Sequence, residues 1–364
     1  MWFRDKMLKK VDIYILRKFL GTFIYSIAII SVIIIIFDIS EKLEGFLKHH
    51  APFGLIVKEY YLNFIPYLVN LFSPLFTFIS VVFFTSRMAA RSEIISILGA
   101  GASFWRLLYP YMIGALLIAS MSLYLNHFLI PDANKVRLRF ESTYVNNPSS
   151  NSSTNIHKQI SPGVYIYMES FNNNMGYRFT LEHIVGQQLP YKLMAETIRW
   201  DSARKHWIIF NYTIRKIQAD GTQKLISGMT KDTVLNLNPA DFVERLDDVQ
   251  AMNYKELNAY IDKKRMEGST NIAAFQVEKD QRTAFPFATF ILTIIGVSLS
   301  SRKVRGGTGL HLGVGLVIAF SFILFMQIST TFAAGRFISP LVSVWIPNFI
   351  YGIVAYFMLR AAPK

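Results

Sequence analysis

Arg91, Ser92 and Glu93 sit in a stretch, RMAARSEIISILGAGASFWRLLYP over residues 87–110, that joins a charged cluster to a run of small residues. The chemistry these types can do is contact rather than catalysis. Glu93 can accept charge-assisted hydrogen bonds from a partner, while Ile94, Ile97 and Leu98 recur at helical spacing and give a short helix an apolar side. That helix is expected to start on Arg87, Arg91 and Glu93 and to loosen at Gly99-Ala100-Gly101, and Ser103 is a good N-cap for the next one. A membrane domain would build its cytoplasmic surface in this way for a motor subunit to grip. Groups suited to covalent or metal chemistry are sparse. There is no cysteine, which excludes disulfides and thiolate sites. The adjacent pair His49-His50 cannot present both rings on one helix face, and no phosphate loop, nucleophile elbow or HExxH motif occurs. The chain is therefore expected to bind no cofactor or metal and to be no enzyme itself.

Two long apolar runs flank this stretch, and they belong to a series. Hydrophobic residues make up 52% of 364, mean hydropathy is +0.31, and the apolar residues come in blocks at 15–37, 61–84, 107–130, 284–300, 310–332 and 341–359. Most approach the roughly 20 residues a spanning helix needs; block 284–300 reaches that length only if apolar residues on its N-terminal side join it. The reading is six spans in two groups of three, the first an uncleaved helix rather than a secretory signal. The formal charge of +14 does not point to nucleic acid, because it is gathered beside the spans. Arg4, Lys6, Lys9, Lys10, Arg17 and Lys18 precede the first; Arg87, Arg91 and Arg106 follow the second; Arg302, Lys303 and Arg305 follow the fourth; Arg360 and Lys364 follow the sixth. If the spans alternate, all lie on one side, so the positive-inside rule puts both termini in the cytoplasm. Beyond the outward end of the first span, Lys42 and Lys48 are placed to meet an anionic headgroup. Lys42 also follows Asp38 by one helical turn, so an internal ion pair is the competing reading. Gly309 and Gly313 form a GxxxG pair at the start of the fifth span, suited either to close packing inside the chain or to a sliding contact at a lateral gate.

Between the two groups, residues 131–282 change period from helical to two. Segments 164–171, 177–185, 191–200, 207–217 and 224–237 are rich in aromatic and β-branched residues, with turn residues between them such as Asn172-Asn173-Asn174 and Asp220-Gly221. Strict alternation puts Ile208, Phe210, Tyr212 and Ile214 on one face, and antiparallel strands of this kind make a sandwich or jelly roll. Phe210 and Tyr212 are then either part of a closed core or the lining of an acyl-chain path. The low-complexity segment 146–155 is expected to be a mobile loop. Residues 254–267 read as a connecting helix, with Leu257, Tyr260, Ile261 and Lys264 at helical spacing. The expected division is 1–130 for spans one to three, with the short cytoplasmic helix at about 87–101; 131–252 for the all-β domain; 253–283 for the connecting helix; and 284–364 for spans four to six.

This order of parts resembles the LptF/LptG (YjgP/YjgQ) permeases of the lipopolysaccharide export ABC transporter. The local sequence carries the resemblance: Arg91-Ser92-Glu93 with ILGAGAS, the MNYKELNAYI helix, and Phe285-Pro286-Phe287 leading through ILTIIGVSLSSRKVRGG. The stretch running on to GTGLHLGVGL is more similar to the LptG branch. The resemblance implies six membrane helices with an inserted periplasmic β-jellyroll, in a bacterial inner membrane. It also implies a heterodimer with a paralogous permease, a cytoplasmic LptB-like ATPase dimer using ATP and Mg, and periplasmic LptC/LptA-like bridge proteins toward the outer membrane. The family's coupling helix falls on Arg91, Ser92, Glu93, Ile97 and Gly99, with Glu93 as the acidic contact, and the first and fifth helices form the gate through which the glycolipid enters. Lys42 matches the neighbourhood of the family's phosphate-holding basic residues, although Ile33 to Ile36, Asp38 and Glu41 stand where some relatives are more basic. A mechanotransmission or lipoprotein-release permease is the rival of another class. Such proteins typically carry four spans, with the exported domain after the first.

Overall fold

A computed structural model describes residues 9–145, 153–218, 221–235, 237–242, 246–269, 271–302 and 307–362. The chain divides into two compact units. Met1–Phe140, Gln250–Tyr254 and Ala273–Lys364 make the first, and Glu141–Val249 with Lys255–Ile272 the second. In chain order the elements are α1 (Lys10–Lys48), α2 (Phe53–Ala90), α3 (Glu93–Gly99), α4 (Phe104–Tyr144), β1 (Ser153–Ser161), β2 (Val164–Asn172), β3 (Met175–Val185), β4 (Gln188–Asp201), β5 (His206–Ile217) and β6 (Gln223–Thr233). There follow α5 (Leu246–Gln250), α6 (Tyr254–Met266), α7 (Ile272–Ala284), α8 (Phe287–Ser300), α9 (Gly307–Ala334) and α10 (Pro340–Ala361).

Among the described residues five helices, α1, α2, α4, α9 and α10, are long and apolar enough to cross a membrane. The sixth span is a bent pair. Helix α8 has only 14 residues, about 21 Å at 1.5 Å per residue against a hydrocarbon core of about 30 Å. It meets α7 at a 52° bend, where Pro286 lacks the N–H that would continue the ladder. What joins it on the N-terminal side is not the expected apolar run, because α7 carries Glu278, Lys279, Asp280, Gln281 and Arg282. Small residues let α8 sit deep among its neighbours. A Cβ on Gly296 would stand 2.9 Å from Val81 of α2, and Ala288, Thr289, Thr293 and Ser300 are buried with it. Such small and hydroxylated surfaces are how helices approach closely in lipid. Helix α1 is the opposite case: apolar all round, it buries little beyond a stripe at Ile15, Phe19, Ile27, Ser31 and Phe46.

In the second unit six antiparallel strands form one sheet in the order β1-β2-β3-β4-β5-β6. The expected all-β insert is present, with one strand more than the alternation showed: β1 takes in Ser153 to Asn155, the end of the expected loop. The rest of that loop lies outside the described residues, as does Asp220 of the expected Asp-Gly turn. Asn173 and Asn174 both take positive φ, 47° and 62°, the geometry of the two-residue turn expected there.

Among the described residues the strands make this one sheet, and it is creased. By the register of the flanking pairs, Asn155, Glu169, Arg178, Glu196, Asn211 and Met229 stand in one row across all six strands. In that row the alternate strands β1, β3 and β5 each place a residue in the left-handed region, Asn155 at φ 51°, Arg178 at 49° and Asn211 at 48°. A left-handed residue bends a strand and resets its alternation. The buried residues of β5 are accordingly Trp207 and Ile209 before the row and Ile214 after it, with Tyr212 packed against the same core. This corrects the single face expected for Ile208, Phe210, Tyr212 and Ile214. The core is closed by Leu237, whose carbonyl accepts from Trp207 Nε1 at 2.9 Å, and by Phe242.

Candidate functional site

Helix α2 runs past Arg87 to Ala90, so the charged cluster does not begin the short helix as expected. The break falls at Ser92, in the left-handed region at φ 62°, and α3 spans only Glu93 to Gly99. Gly101, at φ 87°, ends the turn, and Ser103 Oγ accepts from the Arg106 N–H at 3.3 Å as the N-cap of α4. Ile94 is buried in a core shared with Ile15 and Phe19 of α1 and Phe104 and Leu107 of α4, and Ile97 and Leu98 pack against it. The outward side is therefore Ile95, 56% exposed, with Ser96 and Gly99. Trp105 on α4 is also 67% exposed. Glu93 lies 3.9 Å from Arg91 in a half-exposed pair, leaving its carboxylate open to a stronger donor. The sequence placed Ile97 in the contact; the structure puts it on the packed side and offers Ile95.

At the far end of α1 the structure assembles a second cluster. Lys42 stands 3.1 Å from Asp38, donates to the Tyr60 hydroxyl, and lies over the Tyr60 ring at 4.5 Å. Asp38 also accepts from Tyr60 and Tyr61, each at 3.1 Å. Wide π-helical turns over Ile56–Tyr61 carry these two consecutive tyrosines to the same carboxylate, a local geometry that is frequent at functional sites. Lys42 is thus engaged inside the chain, whereas Lys48 is exposed in the last turn of α1. Sequence reasoning missed Arg137. It is 8% exposed on the polar extension of α4 and stacks over Phe64 and Tyr67, 5.3 Å from each. Its Nε is buried with no hydrogen-bond partner among the described residues.

Between α2, α8 and α9 an apolar cavity of about 270 Å³ is lined by residues such as Leu75, Leu292, Phe322 and Met326. It shares Leu71, Gln281, Phe285 and Gln327 with a polar cavity of about 290 Å³ that Asn70, Asn126 and Arg282 also line. On α9, Gly309 and Gly313 are exposed and a Cβ on either would meet nothing within 4 Å. Packing against the described residues does not explain them. Gly315 makes the close approach instead: a Cβ there would stand 3.1 Å from the Phe78 ring.

In the sheet unit Phe210 is half-buried under Arg199, 5.4 Å away, and Tyr212 leans across Gly228; the crease sends them to different sides. A buried ionic cluster joins Lys158, Lys264 and Glu267, and Asp241 pairs with Lys263 at 2.8 Å. Lys158, Asp241, Lys263 and Glu267 border a cavity of about 570 Å³. Burial alone would raise the Asp241 carboxyl, but the hydrogen bonds from Lys263 and the Asn238 N–H, with the lysine charges, hold it below its ordinary value.

Apolar spanning helices, an inserted sheet and an outward-facing short helix between two spans describe a polytopic transporter subunit. Compared with known families, residues 13–361 match the lipopolysaccharide export system permease LptF/LptG, and the chain belongs to that family. No curated protein is similar enough to register as a match. The chain is accordingly a permease of lipopolysaccharide export, a multi-pass membrane protein working in a complex, and the chemistry of transport is not that of an enzyme.

Proposed function

We propose that this chain, paired with a paralogous permease, takes lipopolysaccharide from the inner membrane and passes it to periplasmic bridge proteins leading to the outer membrane. Both termini and α3 face the cytoplasm, and the sheet unit faces the periplasm. An ATPase dimer that hydrolyses ATP with Mg grips α3 through Glu93, Ile95 and Ser96. The observation that carries this reading is the split of α3: Ile94 is locked into the helical core while the other side stands open beside Trp105. The exposed glycines of α9 give the paralogue's first helix a smooth surface to slide on. Arg137, with Lys48, supplies positive charge at headgroup depth, and the apolar cavity beside α9 receives part of an acyl chain. The tail of α8 and the start of α9 favour the LptG branch.

Purification of the tagged chain from native membrane, with mass spectrometry of proteins and lipids, tests the assembly. A second permease, an ATPase and lipopolysaccharide should accompany it. Recovery of the chain without an ATPase would favour a membrane scaffold.

A further inference from the structure

Asp12, in the first turn of α1, is 3% exposed, accepts from the Lys9 N–H at 2.6 Å, and forms an ion pair with Arg106 in the first turn of α4. Arg106 lies three residues beyond the cap that ends the α3 turn, and its guanidinium also stacks on Tyr109 at 5.3 Å. Two turns further along both helices, the Phe19 ring lies so close to Gly114 that a Cβ there would stand 2.5 Å from it. Two contacts therefore fix α1 to α4 in both position and register. Ile94 anchors α3 in the same core, to which Thr85 ties α2 through its 2.8 Å bond to Tyr111. Among the described residues that core holds none from α9, whose buried Ala319, Phe322 and Met326 pack with α2, α8 and α10 in a second cluster, so that α2 and α8, which contribute to both, form the seam between them.

We propose that Asp12 and Arg106 are positioning residues that make α1, α3 and the base of α4 one rigid body, so that a push on α3 moves α1 relative to α9. Neither touches the lipid or the ATPase. They act by transmitting the stroke, and a rigid element that both sites bias is what coupling between distant sites requires. This rests on the reading of α3 as the docking helix and of α1 and α9 as gate helices, α9 facing the paralogue's first helix. Asp12 is the buried member and Arg106 the half-exposed one: without Arg106 the Asp12 carboxylate loses its counter-charge in a buried setting, and without either partner the base of α1 is freed from α4.

The assembled complex, reconstituted in lipid with lipopolysaccharide, is assayed for ATP hydrolysed and lipid transferred. Asp12→Asn and Arg106→Gln should leave assembly and hydrolysis near normal and lower the lipid moved per ATP by about tenfold. The exchanged pair Asp12→Arg with Arg106→Asp should recover part of that ratio. Because the exchange at a buried site can prevent assembly, spin labels at Ala100 and Ile24 in the cysteine-free chain give a second measure. Their separation should stay constant through the ATP cycle in the parent protein and spread in Asp12→Asn. An unchanged ratio, or an unchanged separation in Asp12→Asn, overturns the proposal. Glu93→Lys serves as the control: if it blocks transfer while Asp12→Asn does not, the strut alone is wrong, and if neither affects transfer the functional reading itself fails.

Discussion

Glu93 and Arg137 represent opposite relations between a residue's type and its legibility. Glu93 was visible because it follows Arg91-Ser92 and precedes a helical apolar pattern, and the structure leaves it half-exposed at the start of α3. Charge reversal, Glu93→Lys, should weaken a charge-assisted contact worth about 1.5 to 3 kcal/mol, a loss of about ten- to a hundredfold in ATPase affinity readable by titration of the ATPase onto the reconstituted permease. Arg137 was not visible, since a basic residue in the polar sequence after the third apolar block looks like an ordinary solvated side chain. Only the continuation of α4 through its π-helical segment Leu125–Leu129 places it over Phe64 and Tyr67. Lys42 was visible, with both of its readings, and the structure shows the Asp38 pair. Arg137→Gln should therefore reduce co-purified lipopolysaccharide more than Lys42→Gln does, with the complex still assembled. Lipid quantitation per mole of complex decides this, and the reverse order would return the headgroup role to Lys42.

At the scale of elements, hydropathy located the long helices and missed what proline and backbone conformation do within them. The fourth span was short in the sequence and proved to be a bent pair, because a polar helix ahead of Pro286 carries no apolar signal. Strands were legible by alternation until the crease, where left-handed residues reset it; an asparagine or arginine in a strand does not announce that conformation. The crease makes a prediction of its own. Asn211→Val should destabilise the sheet unit by about 1 to 2 kcal/mol, since a β-branched residue is strained at positive φ, while Asn211→Gly should be nearly neutral; thermal unfolding of the full chain followed by a probe in the sheet separates the two. The same unit should be acid-sensitive through Asp241. Its carboxyl is depressed in the fold, so it contributes stability above its ordinary value of 3.8 and loses it as pH falls through and below that value. Unfolding curves at pH 3 and pH 7 should differ less in Asp241→Asn than in the parent.

For the molecule as a whole, the six-helix plan and the inserted sheet followed from blocks and periods, and local segments around Glu93 and Pro286 pointed to the family that the match over residues 13–361 shows. What neither blocks nor motifs reveal is which helices move together, because that depends on contacts such as Asp12 with Arg106, 94 positions apart in sequence. The role proposed for this chain is to convert a partner's ATP hydrolysis into movement of lipopolysaccharide out of the bilayer. Its most direct test reconstitutes the permease pair and ATPase in vesicles with lipopolysaccharide and follows the glycolipid's capture by a photo-crosslinking soluble bridge protein. Capture should require ATP and Mg, and fall to background when this chain carries Glu93→Lys or is omitted. Equal capture without ATP, or undiminished capture without this chain, would contradict it.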